Sequence, residues 1–117
     1  SAPLHKLFER HVRQNPDALA VVTEDAHLSY GQLDEHAGRL ASLLRSLDIG
    51  YDSLVGINME RSTNLAVALL AVLKTGAAFV PLEPAWPPSR IAEVCASARL
   101  AAVLTHGGPA LRLPSLE

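Results

Sequence analysis

Five histidines, a single cysteine and an arginine beside a serine are the side chains here that could do chemistry. His5, His11, His27, His36 and His106 are scattered, and none is expected to share a helix face with an acid or a second histidine four residues away in the manner of a metal site. That spacing would put two ligands on one helix face around a metal ion. They read as surface or half-buried histidines. Cys95 falls on an apolar stripe with Ile91, Val94 and Ala98, the setting of a small buried hydrophobe rather than of an activated thiolate. Arg61, in "NMERS" (residues 58–62), follows an apolar run of strand length and could face an anion. The plainer reading, a surface arginine beside the Ser62 helix cap, is the one taken. "THGGP" (105–109) also follows a strand-like run, where open α/β sheets often bind ligands, but Pro109 and "ALRLP" do not resemble a phosphate-cradling helix start. That stretch reads as a polar, proline-broken exit of the chain. Neither G-x-G-x-x-G nor G-x-x-x-x-G-K-[ST] occurs. No catalytic, cofactor-binding or metal-ligating residue is assigned, and no cofactor.

The elements that would position any site are better marked. Leu4, Leu7, Phe8, His11 and Val12 recur at helical spacing, with Lys6, Glu9, Arg10 and Arg13 opposite, predicting a helix over about 3–14 that "NPD" ends. "ALAVVTEDAHLSY" (18–30) predicts two short strands around a polar turn at 24–26. In "LSYGQL" (28–33), Ser29 can cap a helix whose Gln32 reaches back, with Leu28 and Leu33 at the staple positions. The helix that follows buries Leu33, Ala37, Leu40, Ala41, Leu44 and Leu47. It turns Asp34, Glu35, Arg39, Ser42 and Arg45 outward and stops at Gly50.

"SLVGINM" (53–59) predicts a buried strand. The next helix starts at a Ser62 cap, is apolar all round from Leu65 to Leu73, and ends with Lys74 in its last turn and Gly76 beyond. "AAFVPLE" (77–83) is a second buried strand, limited by Pro81. Pro87 and Pro88 open a further helix, and "LAAVLTH" (100–106) is a third strand. The fold class expected is α/β: a partial, mostly parallel sheet with helices on both faces, plus an N-terminal helix and a short β-hairpin.

The totals fit one small unit of 117 residues, 49% hydrophobic, with a formal net charge of −2. Basic residues do not cluster and aromatics are 4%, so neither a nucleic-acid surface nor a polybasic membrane surface is expected. The apolar run 65–73 is too short to span a bilayer. One cysteine excludes an internal disulfide framework and fits a reducing cytoplasm.

Taken together, "LSYGQL" and "LKTGAAFVPLEP" (73–84) resemble the first two core motifs of the adenylation domains of nonribosomal peptide synthetases, members of the adenylate-forming superfamily of acyl-CoA synthetases and luciferases. "LHKLFERHVRQNPDALAVV", "GYDSLVGINMERSTNLAVALLAVL" and "PAWPPSRIAEV…AAVLT" follow the same pattern, so the resemblance spans nearly the whole chain. It implies the N-terminal portion of the large subdomain over residues 1–117, and a parent activity that uses ATP to make an aminoacyl-adenylate. The phosphate loop and the adenine-, ribose- and substrate-binding motifs of such domains come after the matched region. No family catalytic position is therefore carried over. Within the match, Asn64 stands for a common acid, Ser97 and Arg99 for a common Asp and Gly, Glu83 for Asp, and Ala26 for Gly or an acid.

Three functions follow as expectations. The first is a truncated adenylation domain, inactive alone, with a structural or docking role that pairs it with neighbouring synthetase domains or with itself. The second is an excised piece of an intact amino-acid-activating domain. The third is an unrelated small α/β ligand-binding domain.

Overall fold

The structure, a computed structural model, describes residues 4–23, 26–105 and 108–110. Its order is α1 (Leu4–Gln14), β1 (Leu19–Val22), β2 (His27–Ser29), α2 (Tyr30–Ser46), β3 (Leu54–Ile57), α3 (Thr63–Thr75), β4 (Ala78–Pro81), α4 (Pro88–Ala98), β5 (Ala102–Thr105) and β6 (Gly108–Ala110). β1 and β2 form an antiparallel hairpin, and the main sheet runs β4-β3-β5-β6. β4 and β5 both lie parallel to the central β3, whereas β6 is antiparallel to β5. The α/β class, the three parallel strands and the hairpin are as the sequence predicts, but β4, expected to be buried, stands at the end of the sheet with Ala78, Phe79 and Pro81 exposed. β6 corrects the prediction too: the segment read as a chain exit pairs Val103 with Ala110 and Thr105 with Gly108. A proline can hold such a place because it needs to donate nothing at a sheet edge.

The helix starts follow their local chemistry. The Gln32 N–H donates to Ser29 Oγ at 3.1 Å, and the Ser29 N–H donates to Gln32 Oε1 at 2.9 Å, closing the box. Ser62 Oγ accepts from the Leu65 N–H at 3.2 Å. Pro88 opens α4 behind Pro87, and Gly76 ends α3 at φ 85°. The end of α2 is set by Asp48 (φ 64°), not by Gly50. The Asp48 N–H reaches the Arg45 carbonyl, and Ile49 reaches that of Leu44 at 3.1 Å. This left-handed closure satisfies two end carbonyls and lays Ile49 beside Leu44 in the core.

Alternation along the parallel strands makes two cores. Val55, Ile57, Ala102 and Leu104 join Leu33, Ala37, Ala41 and Leu44 of α2 and Ala68, Leu70, Ala71 and Val72 of α3. On the opposite face Val103 meets Leu82, Cys95 and Leu100, with Leu54, Val80, Ile91 and Val94 around them. Helices therefore cover both faces. Gly56 lets the second core close on β3. A Cβ there would stand 2.7 Å from Leu100 Cδ1 and 2.8 Å from Leu82 Cδ1, two side chains already buried. Fully buried leucines such as Leu44 and Leu104 each lose about 2–5 kcal/mol when cut to alanine, so this small unit depends on both layers.

The buried face of α2 (Leu33, Ala37, Ala41 and Leu44) is as expected, but single residues depart from the faces expected for α1 and α2. Leu7, placed on the packed side of α1, is exposed, while Glu9 is half-buried. Asp34, placed on the outer face of α2, is likewise half-buried. One group turns both inward. Lys74, at the end of α3 with its side chain 9% exposed, holds its ammonium 2.6 Å from Glu9 Oε2 and 2.7 Å from Asp34 Oδ1.

Candidate functional site

The carboxyl ends of β3 and β4 open into a cleft of about 420 Å³. Ile57, Phe79 and Pro81 supply the strand wall, Leu65 and Leu69 of α3 the helix wall, and Met59 the exit of β3. The far wall is the loop Leu82, Glu83, Pro84 and Trp86. Each wall has a local cause. Opposite Ile57, Pro81 turns its missing N–H to the outer edge of β4, and the Leu82 N–H still donates to the Ile57 carbonyl at 2.9 Å. The chain then turns, the Trp86 N–H donating to the Glu83 carbonyl at 3.0 Å. Arg90, one turn into α4, lies 5.1 Å from the Trp86 ring centroid, a cation–π contact that steadies the indole. Leu65 and Leu69 belong to the run that is apolar all round. α2 and the sheet cover most of that run, and the cleft takes the remaining stripe.

This is the place where parallel α/β sheets bind ligands, yet among the described residues its lining is nearly all apolar, with Glu83 the one ionisable side chain. Such a lining can seat apolar groups. The described residues of the lining supply no paired acid and base and no cation for a phosphate.

A second, wider cleft of about 770 Å³ lies between the hairpin and the start of α3, lined by Val21, Val22, Thr23, Ala26, Arg61, Ser62 and Thr63. Arg61 is exposed there. Ser62 is committed to the helix, accepting from Leu65 and donating to the Glu60 carbonyl at 3.1 Å. The structure thus places Arg61 as the sequence suggests, beside a cap and on an open rim.

The histidines do not converge. The His11 ring packs on Tyr30 at 4.4 Å between centroids, His5 is half-buried, and His27 and His36 are exposed. His106 lies outside the described residues. His5 has an acid four positions on, Glu9, but Lys74 takes that carboxylate. Among the described residues no group of three His, Cys, Asp or Glu side chains could hold a metal ion. Cys95 is fully buried, and that burial pushes its thiol above the ordinary 9.0, as expected of a core residue.

The titratable cluster with a real electrostatic imprint is Lys74, Glu9 and Asp34. Hydrogen bonding to Lys74 holds Glu9 below its ordinary 4.5, against partial desolvation. For Lys74, burial alone would lower the value, but hydrogen bonds to Asp34 and then Glu9 outweigh it and raise it above 10.5. Sequence reasoning saw only a lysine near a helix C-terminus. An acid in each of two preceding helices, both near an apolar stripe, was the signal available.

Comparison with known proteins adds the family. The model of the AMP-binding enzyme family matches residues 8–116. The chain is 44% identical over 91% of its length to tyrocidine synthase 2 of Brevibacillus parabrevis, of which it spans 3%. It is 42% identical over 99% of its length to a dimodular nonribosomal peptide synthase of Bacillus subtilis, of which it spans 5%. Its backbone matches the nonribosomal peptide synthetase FmoA3, solved in an alpha-methyl-L-serine-AMP bound form, at TM-score 0.85 and 35% identity, covering 89% of this chain and 12% of that one. The N-terminal subdomain of Klebsiella oxytoca NpsA matches at TM-score 0.79 and 27% identity, covering 90% and 28%.

Proposed function

Because the chain belongs to the AMP-binding enzyme family, we propose that it is a structural portion of a nonribosomal peptide synthetase adenylation unit. In this reading it contributes a packed sheet layer and a docking surface rather than catalytic groups. The parent activity would be ATP-dependent formation of an aminoacyl-adenylate, and the partners would be neighbouring synthetase segments. The observation that carries the reading is the apolar cleft at the carboxyl ends of β3 and β4, on a backbone shared with adenylating synthetases. Stabilising a transferring phosphoryl group needs oriented amides, cations or a metal, and the cleft wall offers aliphatic and aromatic surface instead. Amino-acid-dependent ATP–pyrophosphate exchange tests it. The isolated chain should give none, and exchange above a protein-free blank with any proteinogenic amino acid would overturn the reading.

The docking half of the proposal is supported by Phe79, 40% exposed at the cleft mouth on the edge strand β4. Strand addition is poorly supported at that edge. Pro81 has no N–H, and the Ala77 N–H is taken by Thr75 Oγ1 at 3.2 Å. Side-chain burial in the cleft is the better-supported mode. Light scattering at micromolar concentration should show association that Phe79→Glu abolishes; a monomer unaffected by the substitution removes the docking role.

No helix among the described residues is long and apolar enough to cross a membrane. The alternative, a segment of an intact amino-acid-activating domain, shares every structural feature above.

A further inference from the structure

Helix α1 touches the rest of the molecule along a narrow strip. Leu7 is 46% exposed, and two rings of α1 meet Tyr30, the partly buried Phe8 at 5.6 Å and His11 at 4.4 Å between centroids. Among the described residues, its one ionic anchor to another element is the Glu9 carboxylate on Lys74. The same ammonium is held from the other side by Asp34, and the Lys74 carbonyl accepts from Arg45 Nη2 at 2.9 Å. Lys74 therefore stays fixed on the α2–α3 pair whether or not α1 is present. The chain after α1 is pinned independently: Gly31 N–H donates to the Pro16 carbonyl at 2.8 Å and Tyr30 N–H to that of Ala18 at 2.9 Å. A latch at the middle of a helix and a pinned segment just beyond its end put the bend at 14–16, a turn held by two local backbone bonds, Asn15 N–H to the His11 carbonyl at 2.9 Å and Ala18 N–H to that of Asn15 at 3.2 Å.

We infer that α1 is a hinged strap, latched by Glu9 on a Lys74 that Asp34 holds ready, and able to leave and rejoin the α2–α3 pair while the sheet stays folded. Proteins open in cooperative pieces, the least anchored first. A charge-assisted hydrogen bond of this kind is strong enough to govern one helix without governing the core. When α1 lifts, Phe8 and His11 leave Tyr30 and the Lys74–Asp34 pair becomes the new surface.

Hydrogen exchange of the 117-residue chain, followed peptide by peptide at neutral pH, tests this. Amides of α1 should exchange faster than those of α3. Glu9→Gln, which hardly changes helix propensity, should speed α1 exchange by about tenfold or more with α3 unchanged. Glu35→Gln, which removes the exposed pair with Arg39, should leave α1 exchange as it was. Exchange of α1 in step with α3 overturns the inference, as does α1 exchange that Glu9→Gln fails to speed or that Glu35→Gln speeds equally.

Discussion

The Leu100 N–H closes the end of α4 on the Cys95 carbonyl at 3.0 Å, and both side chains lie fully buried in one cluster. The residue between helix and strand, Arg99, reaches this closure at φ 56°. A left-handed conformation costs a side chain with a Cβ roughly 1–2 kcal/mol, and glycine escapes it. Arg99→Gly should therefore stabilise the chain by about 1 kcal/mol, read as a higher urea midpoint at unchanged slope. A lower midpoint would mean that the arginine makes a compensating contact.

The Ser29–Gln32 box gives a second outcome. Ser29→Ala removes one cap and should cost about 1 kcal/mol. Gln32→Ala, which leaves the Ser29 cap in place, should cost less. Equal losses would show that the two hydrogen bonds work only as a unit.

The Lys74 cluster predicts how stability follows pH. Glu9 titrates lower in the folded chain than its ordinary 4.5, so its contribution is present above that value. It is lost as pH falls through the folded value, in the acid range below 4.5. Lys74 titrates above 10.5 when folded, so its contribution is present below 10.5 and is lost as pH rises further. Urea midpoints of the native chain should therefore fall in both ranges. Lys74→Met should be less stable than the native chain at neutral pH, by about 2 kcal/mol, and should lose the alkaline decline. A native chain whose midpoint is flat through the acid range would contradict the Glu9 assignment.

What the sequence made legible was what a few neighbouring residues decide. Ser29 and Gln32 are three apart and need nothing else, so the box could be read directly, as could Gly76 and the Pro87–Pro88 start. The end of α2 was misplaced because Asp48 is one of the few residue types besides glycine that tolerate the left-handed region. The glycine two positions on drew the prediction instead. Glu9 and Asp34 were assigned outward because carboxylates usually face water. Only the joint register of three helices brings Lys74 between them, and that register is written in no single segment. β6 pairs at a sheet edge, where proline is tolerated, so its composition resembled a loop. The cleft was illegible for a similar reason. Its walls come from β3, α3, β4 and the loop after β4, and periodicity marks each as buried without saying which side is left open.

The most direct test of the central claim is to exchange this chain for the matching segment of the Bacillus subtilis dimodular synthase, to which it is 42% identical over 99% of its length. Amino-acid-dependent ATP–pyrophosphate exchange would then be measured on the hybrid. If this chain is a structural layer of an adenylation unit, a soluble hybrid retains exchange with the host's own amino acid. A hybrid that is soluble and folded by circular dichroism, yet gives no exchange with any amino acid, contradicts the claim.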